Sequence, residues 1–189
     1  MNLSGDYVRR LNHADDGDRD LLRQVYRWAE ANPALYLDGS GYRDAEDFLN
    51  PPRGAVEYVV FGSDHPVALL TFIPLATVRK VYQVGLITNP DASLRKICKL
   101  LQGFMGAVFE AMAQSLFVEL PDSPEFSRTR KLARFFGFEQ VSETIFLISK
   151  YGITQSSRTA KIEHRDQHPG RVHVVPGNAG RAGTQRLRF

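Results

Sequence analysis

Few reactive side chains in this 189-residue chain have a second functional group at a sequence spacing that would allow catalysis. Cys98 is the only cysteine, which excludes an internal disulfide framework and a multi-cysteine metal site. It falls near the apolar stripe of a predicted helix, so we interpret it as a small core residue rather than a nucleophile. His13 and His65 lie at predicted turns without a partner at catalytic spacing. The sequence therefore does not predict catalysis by a thiol or an imidazole.

Basic side chains are concentrated in two places. Arg95, Lys96 and Lys99 lie at the start of the longest predicted helix, where their charge can attract anions. From residue 154 onward, seven basic residues face only two acids, which gives this segment a net charge of +5. These residues, with the terminal aromatic, are the candidate partner-binding set: Arg158, Lys161, Arg165, Arg171, Arg181, Arg186, Arg188 and Phe189.

The basic C-terminal segment also differs from the rest of the chain in amino-acid composition. It is rich in Gly, Pro and polar residues, and neither a helical nor a strand period runs through it. Such a composition is typical of a solvated, disordered tail. The alternative is an arm that becomes ordered on a partner, either protein or, without sequence specificity, nucleic acid. The sequence thus predicts a folded domain over residues 1–152 and a basic tail over residues 153–189.

The body of the chain alternates strand and helix patterns. The pattern predicts a strand over residues 6–12, helices over 15–31 and 44–49, and strands over 55–61, 66–72 and 78–87. A long helix over 92–114, a strand over 115–120, a helix over 124–136 and two closing strands by residue 148 follow. The hydrophobic content of 43% suffices for one core. An α/β fold is expected, with a central mixed sheet flanked by helices.

This order of elements resembles the acyl-CoA-dependent N-acyltransferases of the GNAT family over roughly residues 6–151. Two local features carry the resemblance. A strand leads through Asn89-Pro90-Asp91 into the long helix, and the penultimate helix ends in Gly137-Phe138 before the last two strands. A helix-capping glycine followed by a core aromatic would also explain the second feature.

The resemblance implies a loop that binds the pyrophosphate of acetyl-CoA, with the pattern Arg/Gln-x-x-Gly-x-Gly/Ala at the start of the long helix. Here Ser93 occupies the Arg/Gln position, and Lys96 and Cys98 occupy the two glycine positions. We expect the Lys96 side chain to obstruct the phosphates. Ser93, Arg95, Lys96 and Lys99 are the residues that would hold the coenzyme if it binds, but the principal prediction is that there is no cofactor.

The catalytic groups implied by the resemblance are also altered. The family often has a Tyr four residues before the Gly of Gly-Phe as a general acid, and this chain has Ala133 there. Glu57 is the only acid in the region of the family's general base, and Tyr82 is the nearest phenol. Alternation in Val56-Glu57-Tyr58 favours an outward-facing, non-catalytic Glu57. No catalytic residue is therefore predicted; if the protein is active, Glu57 and Tyr82 are the candidates.

This pattern of losses is similar to that of acetyltransferase-like internal virion proteins of short-tailed phages. The resulting expectation is a non-catalytic structural or assembly protein that docks on protein partners through its basic tail. An active acetyl-CoA-dependent N-acetyltransferase is the alternative. A sequence-independent nucleic-acid binder ranks below both. No apolar run is long enough to span a membrane, and no signal pattern opens the chain. We expect the protein to be intracellular or virion-associated. We also expect it to hold no metal.

Overall fold

The computed structural model describes residues 5–37, 42 and 44–150, together with two short strand segments near the C-terminus. Its strands are β1 (Tyr7–Arg10), β2 (Val56–Gly62), β3 (His65–Pro74), β4 (Val81–Thr88), β5 (Ser115–Glu119), β6 (Glu139–Gln140), β7 (Ile145–Ser149), β8 (His173–Val174) and β9 (Arg186–Arg188). Its α-helices are α1 (Asp16–Glu30), α2 (Pro33–Tyr36), α3 (Ala45–Leu49), α4 (Leu94–Ala111) and α5 (Ser127–Phe135), the last preceded by a 3-10 turn at Pro124–Phe126.

The described strands form one mixed sheet in the order β6-β7-β5-β4-β3-β2-β1-β9-β8. The pair β4–β5 is parallel, and the other described pairs are antiparallel. The predicted order of elements and the mixed sheet flanked by helices are confirmed. Two features were not predicted from the sequence: helix α2, and strands β8 and β9 of the C-terminal segment, which extend the sheet beside β1.

Helices cover both faces of the sheet. Helices α4 and α5 pack on one face through a core that includes Leu70, Phe72, Phe104 and Phe146. Helices α1 and α3 pack on the other face, where Trp28 and side chains of α1, α3 and the central strands form a second core. Side chains in the middle of β2 and β3 are therefore buried whichever way they point.

Helix α1 begins as its sequence predicts. The Asp15 side chain accepts a hydrogen bond from the Asp18 N–H at 3.0 Å, which is a standard N-cap. Asp16 and Asp18 place negative charge at the positive end of the helix. Helix α5 ends at Gly137, whose φ of 85° suits glycine, and the Phe138 N–H bonds back to the Ala133 carbonyl at 3.0 Å. The glycine cap followed by a core aromatic is thus confirmed.

Asp18 ties the beginning of α1 to β1. Its side chain is 2% exposed, forms an ion pair with Arg9 and accepts a hydrogen bond from the Asn12 N–H at 2.8 Å. We expect Asp18→Ala to lower the free energy of unfolding by about 3 kcal/mol, because Arg9 and the Asn12 N–H both lose their partner. Urea denaturation measures this, with the exposed Asp16→Ala as the control. A loss below about 0.5 kcal/mol, the usual surface value, would contradict the structural role.

No helix in the described residues is long and apolar enough to cross a bilayer. The same residues contain no group of His, Cys, Asp and Glu side chains that could hold a metal ion.

Candidate active site in the gap between two strands

Strands β4 and β5 lie side by side at one end and diverge at the other. They pair over Val81–Gln83 and Ser115–Phe117. Beyond Gln83, β4 continues to Thr88 and pairs with β3, whereas β5 pairs with β7 up to Glu119. A gap therefore opens in the middle of the sheet between the end of β4 and the end of β5.

A cavity of about 910 Å³ fills this gap and reaches both faces of the sheet. Its walls come from α2, α3, β3 and β4 on one side and from α4, β5 and α5 on the other. Cavities that hold cofactors or drug-sized ligands generally measure ~300–1,000 Å³. This cavity is thus large enough for a sizeable organic ligand.

The edge of β4 that borders the gap presents backbone hydrogen-bonding groups. The bonds Leu75 N–H to Val81 O and Asn89 N–H to Val67 O fix which residues of β4 face β3. Because these groups alternate in antiparallel pairs, the N–H and C=O of Leu86 point toward β5, where β5 no longer pairs. An elongated ligand with amide groups could pair with this edge as an added strand does.

A row of polar side chains leads from the core to the cavity on the α1–α3 face. Register places Glu57 on β2 opposite Thr71 on β3, and Thr71 opposite Gly85 on β4. The Thr71 hydroxyl donates to Glu57 Oε1 at 3.0 Å. Both Thr71 and Gly85 line the cavity. Because Gly85 has no side chain, the Thr71 hydroxyl borders the cavity directly.

Glu57 is buried, not outward-facing. Only 2% of its surface is exposed, since α1 and α3 cover its face of the sheet. Its second oxygen, Oε2, lies 3.2 Å from Nε2 of His13. The interpretation of Glu57 as an ordinary surface residue was therefore wrong, and so was that of His13 as a histidine without a partner. His65 is exposed at the start of β3, as a turn residue would be.

A local hydrogen-bond network positions His13 beside Glu57. The Leu11 N–H bonds to the Glu57 carbonyl at 2.9 Å, which extends the β1–β2 pairing to the loop. Asn12 then turns the chain: its carbonyl accepts from the Asp15 N–H at 2.9 Å. Asp18 holds the Asn12 N–H from the other side. The loop between β1 and α1 is thus fixed at both ends.

The contact with Glu57 raises the pKa of His13, mainly through their side-chain hydrogen bond and against the opposing effect of burial. A raised folded pKa means that protonated His13 stabilises the fold at pH values below about 6.5, and that this contribution is lost as pH rises through the folded pKa. We expect the free energy of unfolding to fall by about 1 kcal/mol across that range. Urea denaturation at several pH values tests this. His13→Gln should flatten the slope, His65→Gln should preserve it, and an unchanged slope in His13→Gln would contradict the pairing.

Two tyrosines lie on the same side of the cavity. Burial, with a smaller contribution from the charge of Glu57, raises the pKa of Tyr42 to about 12. Its phenol therefore stays neutral near pH 7. The Tyr36 hydroxyl lies 3.0 Å from Thr88 Oγ1 and connects α2 to the end of β4. With Thr71, these three residues supply hydroxyl-bearing side chains to the lining of the cavity.

The buried lining residues between α4 and α5 are apolar: Leu70, Leu101, Met105, Leu120, Ala133 and Phe138. Glu119, Arg128 and Thr129 line the same side and are more exposed. Ala133, the residue in the position of the family's Tyr, contributes only a methyl group to this wall. No phenol is therefore present at that point.

Three of the four candidate coenzyme-binding residues are exposed where α4 begins. Ser93 precedes the helix but makes no side-chain capping hydrogen bond, and the first turn contains no acid. Arg95 and Lys99 are exposed. The Lys96 ammonium instead lies 3.1 Å from Asp6 Oδ1 and donates to Ser63 Oγ at 2.9 Å. Lys96 does not line the cavity, and its predicted obstruction of phosphates stays a prediction.

The remaining candidates do not line the cavity or lie outside the described residues. Tyr82 packs against the core on the α4 face and does not line the cavity. Burial raises the pKa of the Cys98 thiol, which disfavours the thiolate form. Of the tail residues, Arg186 and Arg188 belong to β9. Arg158, Lys161, Arg165, Arg171, Arg181 and Phe189 lie outside the described residues, so their partner-binding role stays a prediction.

Sequence reasoning missed His13, Thr71 and Gly85 as parts of one site. The signal that could have found the site is Gly85: a glycine inside an apolar strand often marks a close approach by a ligand or backbone. His13 and Thr71 carry no comparable local signal, because their contacts with Glu57 join distant parts of the chain.

The fold matches those of known enzymes although the sequence does not. No family model and no curated protein matches the chain. A GNAT-family protein described as an acetyltransferase, from Desulfovibrio desulfuricans, superposes with a TM-score of 0.58 at 14% identity, covering 77% of this chain and 99% of that one. The chain has the GNAT fold. Spermidine N-acetyltransferase from Vibrio cholerae, in complex with CoA and spermine, gives a TM-score of 0.62 at 12% identity over 80% of this chain and 99% of its own.

A third GNAT structure is RimL, the ribosomal L7/L12 alpha-N-protein acetyltransferase, in complex with coenzyme A. It gives a TM-score of 0.58 at 13% identity and covers 77% of this chain and 94% of its own. The resemblance to the GNAT family is thus confirmed at the level of the fold. These comparisons lend no support to the similarity to a phage virion protein.

Proposed function

We propose that this protein is an acyl-CoA-dependent N-acyltransferase whose reaction takes place in the gap between β4 and β5. The observation that carries the proposal is the cavity itself, with Thr71 on one wall and the buried Glu57 hydrogen-bonded behind it. A protein that used the GNAT fold only as a scaffold would have no need to keep a 910 Å³ opening in its sheet. The fold of three acetyltransferase-like proteins supports the same class of reaction.

The residues present suit an acyl-CoA substrate. The edge of β4 near Leu86 offers backbone groups to the amides of the pantetheine arm. The first-turn N–H groups of α4 have no partner within the helix and no side-chain cap, so they can donate hydrogen bonds to a phosphate. Arg95 and Lys99 add positive charge there. Ser93 and Lys96 are in the same turn, although Lys96 is engaged with Asp6. This proposal replaces the expectation that no cofactor binds.

Glu57 is the proposed general base. The Thr71 hydroxyl donates a hydrogen bond to Glu57 Oε1, and Thr71 lines the cavity. When an amine attacks the thioester carbonyl carbon, a C–N bond forms, the C–S bond breaks and the amine must lose a proton. That proton can pass to Thr71 while the Thr71 proton passes to Glu57. His13 holds the other carboxylate oxygen in place.

The leaving group does not require a protonated side chain in this chain. A thiolate with an ordinary pKa near ~8.5 can depart as the anion and take its proton from water. The methyl group of Ala133 is therefore compatible with turnover. Tyr82, named with Glu57 as a candidate for an active enzyme, has no role in this mechanism because it does not line the cavity.

The test is release of CoA thiol from acetyl-CoA or longer acyl-CoA by the full chain with a panel of primary amines. Thiol release that depends on an amine and matches the acylated amine in amount supports the proposal. Saturable binding of acyl-CoA with no release for any amine would contradict it.

A second candidate is a non-catalytic interaction protein that docks through its basic tail. It is favoured by Ala133 in place of the phenol and by Lys96 and Cys98 in place of the glycines. Its partner would be a protein assembly, with packaged or free nucleic acid as a further option. Association with a virion remains part of this candidate. Recovery of the protein in a purified assembly, lost on truncation at residue 153, would favour it.

A further inference from the structure

A second pocket lies on the side of α5 that faces away from the cavity. Ser127, Arg130, Lys131 and Arg134 line it, and their spacing places them on one side of the helix. The residues of α5 that line the cavity are on the opposite side of the helix: Arg128, Thr129, Leu132 and Ala133. The outer pocket of α5 is therefore separate from the site proposed for acyl transfer.

The outer pocket of α5 is basic. Three cationic side chains, those of Arg130, Lys131 and Arg134, line it together with one acid, Asp122, which gives the lining a net charge of +2. Lys131 is exposed and forms no ion pair with a described residue. Such a cluster attracts anions, and it attracts a dianion more strongly than a monoanion.

Arg130 has hydrogen-bonding groups that the described protein atoms do not satisfy. Its Nη1 pairs with Asp122, and its side chain is 15% exposed. Its Nε and Nη2 are buried and have no hydrogen-bond partner among the described residues. These two nitrogens form one edge of the planar guanidinium, which can bind two oxygens of an oxyanion side by side. A water molecule would leave the charge of the pocket unbalanced, whereas an anion supplies both acceptors and charge.

Two of the three cations are oriented by contacts within the protein. Asp122 holds Arg130. Arg134 Nη2 donates to Gln140 Oε1 at 2.9 Å, and its Cζ lies 5.6 Å from the centre of the Phe146 ring. Binding of an anion therefore requires less ordering of these side chains than free surface arginines would need.

We propose that the outer pocket of α5 binds a phosphate group, either of a phosphate monoester or of free phosphate. Arg130 binds its oxygens through Nε and Nη2, Lys131 and Arg134 supply charge, and the Ser127 hydroxyl can donate to a further oxygen. A phosphate with a charge near −2 balances the lining, and a carboxylate would offset only half of it. This inference does not depend on the proposed acyl transfer.

Calorimetric titration of the full chain near pH 7.5 with inorganic phosphate, phenyl phosphate and acetate tests the inference. Two charge-assisted hydrogen bonds of usual strength correspond to a Kd of about 1 mM. We expect at least one phosphate compound to bind that tightly and acetate to bind at least about tenfold more weakly. Tighter binding of phenyl phosphate would identify a monoester as the ligand, and tighter binding of inorganic phosphate would identify the free ion. Equal affinity for acetate, or no saturable binding of either phosphate compound, would overturn the inference.

Variants locate the bound phosphate. We expect Arg130→Gln and Lys131→Gln each to weaken phosphate at least about tenfold, because each removes a charged donor. Arg128→Gln, an exposed arginine on the cavity side of the same helix, is the matched control and should stay within twofold. Arg95→Gln separates this pocket from the start of α4. Loss of binding in Arg95→Gln but not in Lys131→Gln would place the phosphate at α4 and overturn the inference. Lys131 is exposed, so its variant tests the pocket even if Arg130→Gln does not fold.

Discussion

Replacing Glu57 with Gln is expected to lower kcat/KM for acyl transfer by about 10²- to 10⁴-fold, the usual contribution of a general base. Gln is nearly isosteric, and its Oε1 can still accept the Thr71 hydroxyl now 3.0 Å away. The arrangement of the wall is kept, but the group can no longer take a proton. Binding of acyl-CoA should stay within twofold of wild type, because Glu57 does not itself line the cavity.

Steady-state thiol release and calorimetric binding together measure the effect of Glu57→Gln. Glu139→Gln, an exposed carboxylate on β6, is the matched control and should change neither quantity. Thr71→Val removes the hydroxyl that connects Glu57 to the cavity and should lower kcat by about 10²-fold at similar KM. Wild-type turnover in Glu57→Gln would exclude Glu57 as the base.

We expect Gly85→Val to lower the rate of acyl transfer at least about 100-fold. The free energy of unfolding should stay the same or rise. A Cβ at Gly85 would meet only the Thr71 Cβ, at 3.6 Å, which is an ordinary contact. Valine suits a strand, and glycine within a strand costs ~0.5–1 kcal/mol relative to alanine. The two methyl groups would project into the cavity and cover the Thr71 hydroxyl. Activity and stability should thus change in opposite directions.

Gly85→Ala is the graded control for the valine variant. A single methyl group covers less of the Thr71 hydroxyl, so we expect a loss of less than tenfold. Thermal denaturation and thiol release on the three proteins provide the comparison. Gly85→Val with wild-type activity would mean that the reaction, if any, takes place elsewhere.

Most of the fold follows from local patterns that the sequence displays. Leu22, Val25 and Trp28 recur at helical spacing and pack in α1, and Gly137 ends α5. The misses have local causes as well. Strand β4 begins at Val81 rather than Val78, because Lys80, with φ of 61°, ends a loop. Helix α2 is a single turn beginning at Pro33, too short for a periodic pattern to predict.

The candidate site could be predicted only in part. Alternation in β2 predicted correctly that Glu57 and Tyr58 point to opposite faces, but it cannot tell whether a face is covered by helices. His13 and Glu57 are 44 residues apart, and their contact depends on β1–β2 pairing and on the Asn12 turn. Leu94, in the first turn of α4, is 48% exposed and lines the cavity.

The absence of the family's tyrosine and loop glycines from this sequence was interpreted first as a loss of function. Ala133 was the strongest of these, since a methyl group cannot donate a proton. In the fold, the same residue is buried and lines the cavity. The sequence alone could not distinguish a missing acid from an enlarged pocket, because the difference depends on what α4 and β3 place opposite Ala133.

Calorimetric titration of the full chain with acetyl-CoA tests the central claim, that the gap between β4 and β5 holds an acyl thioester. We predict one site per chain with a Kd in the range of substrate KM values, about 1 μM to 1 mM, and weaker binding by Gly85→Val. Absence of saturable heat at concentrations on the order of 1 mM, or unchanged binding when Gly85 is valine, would contradict the account.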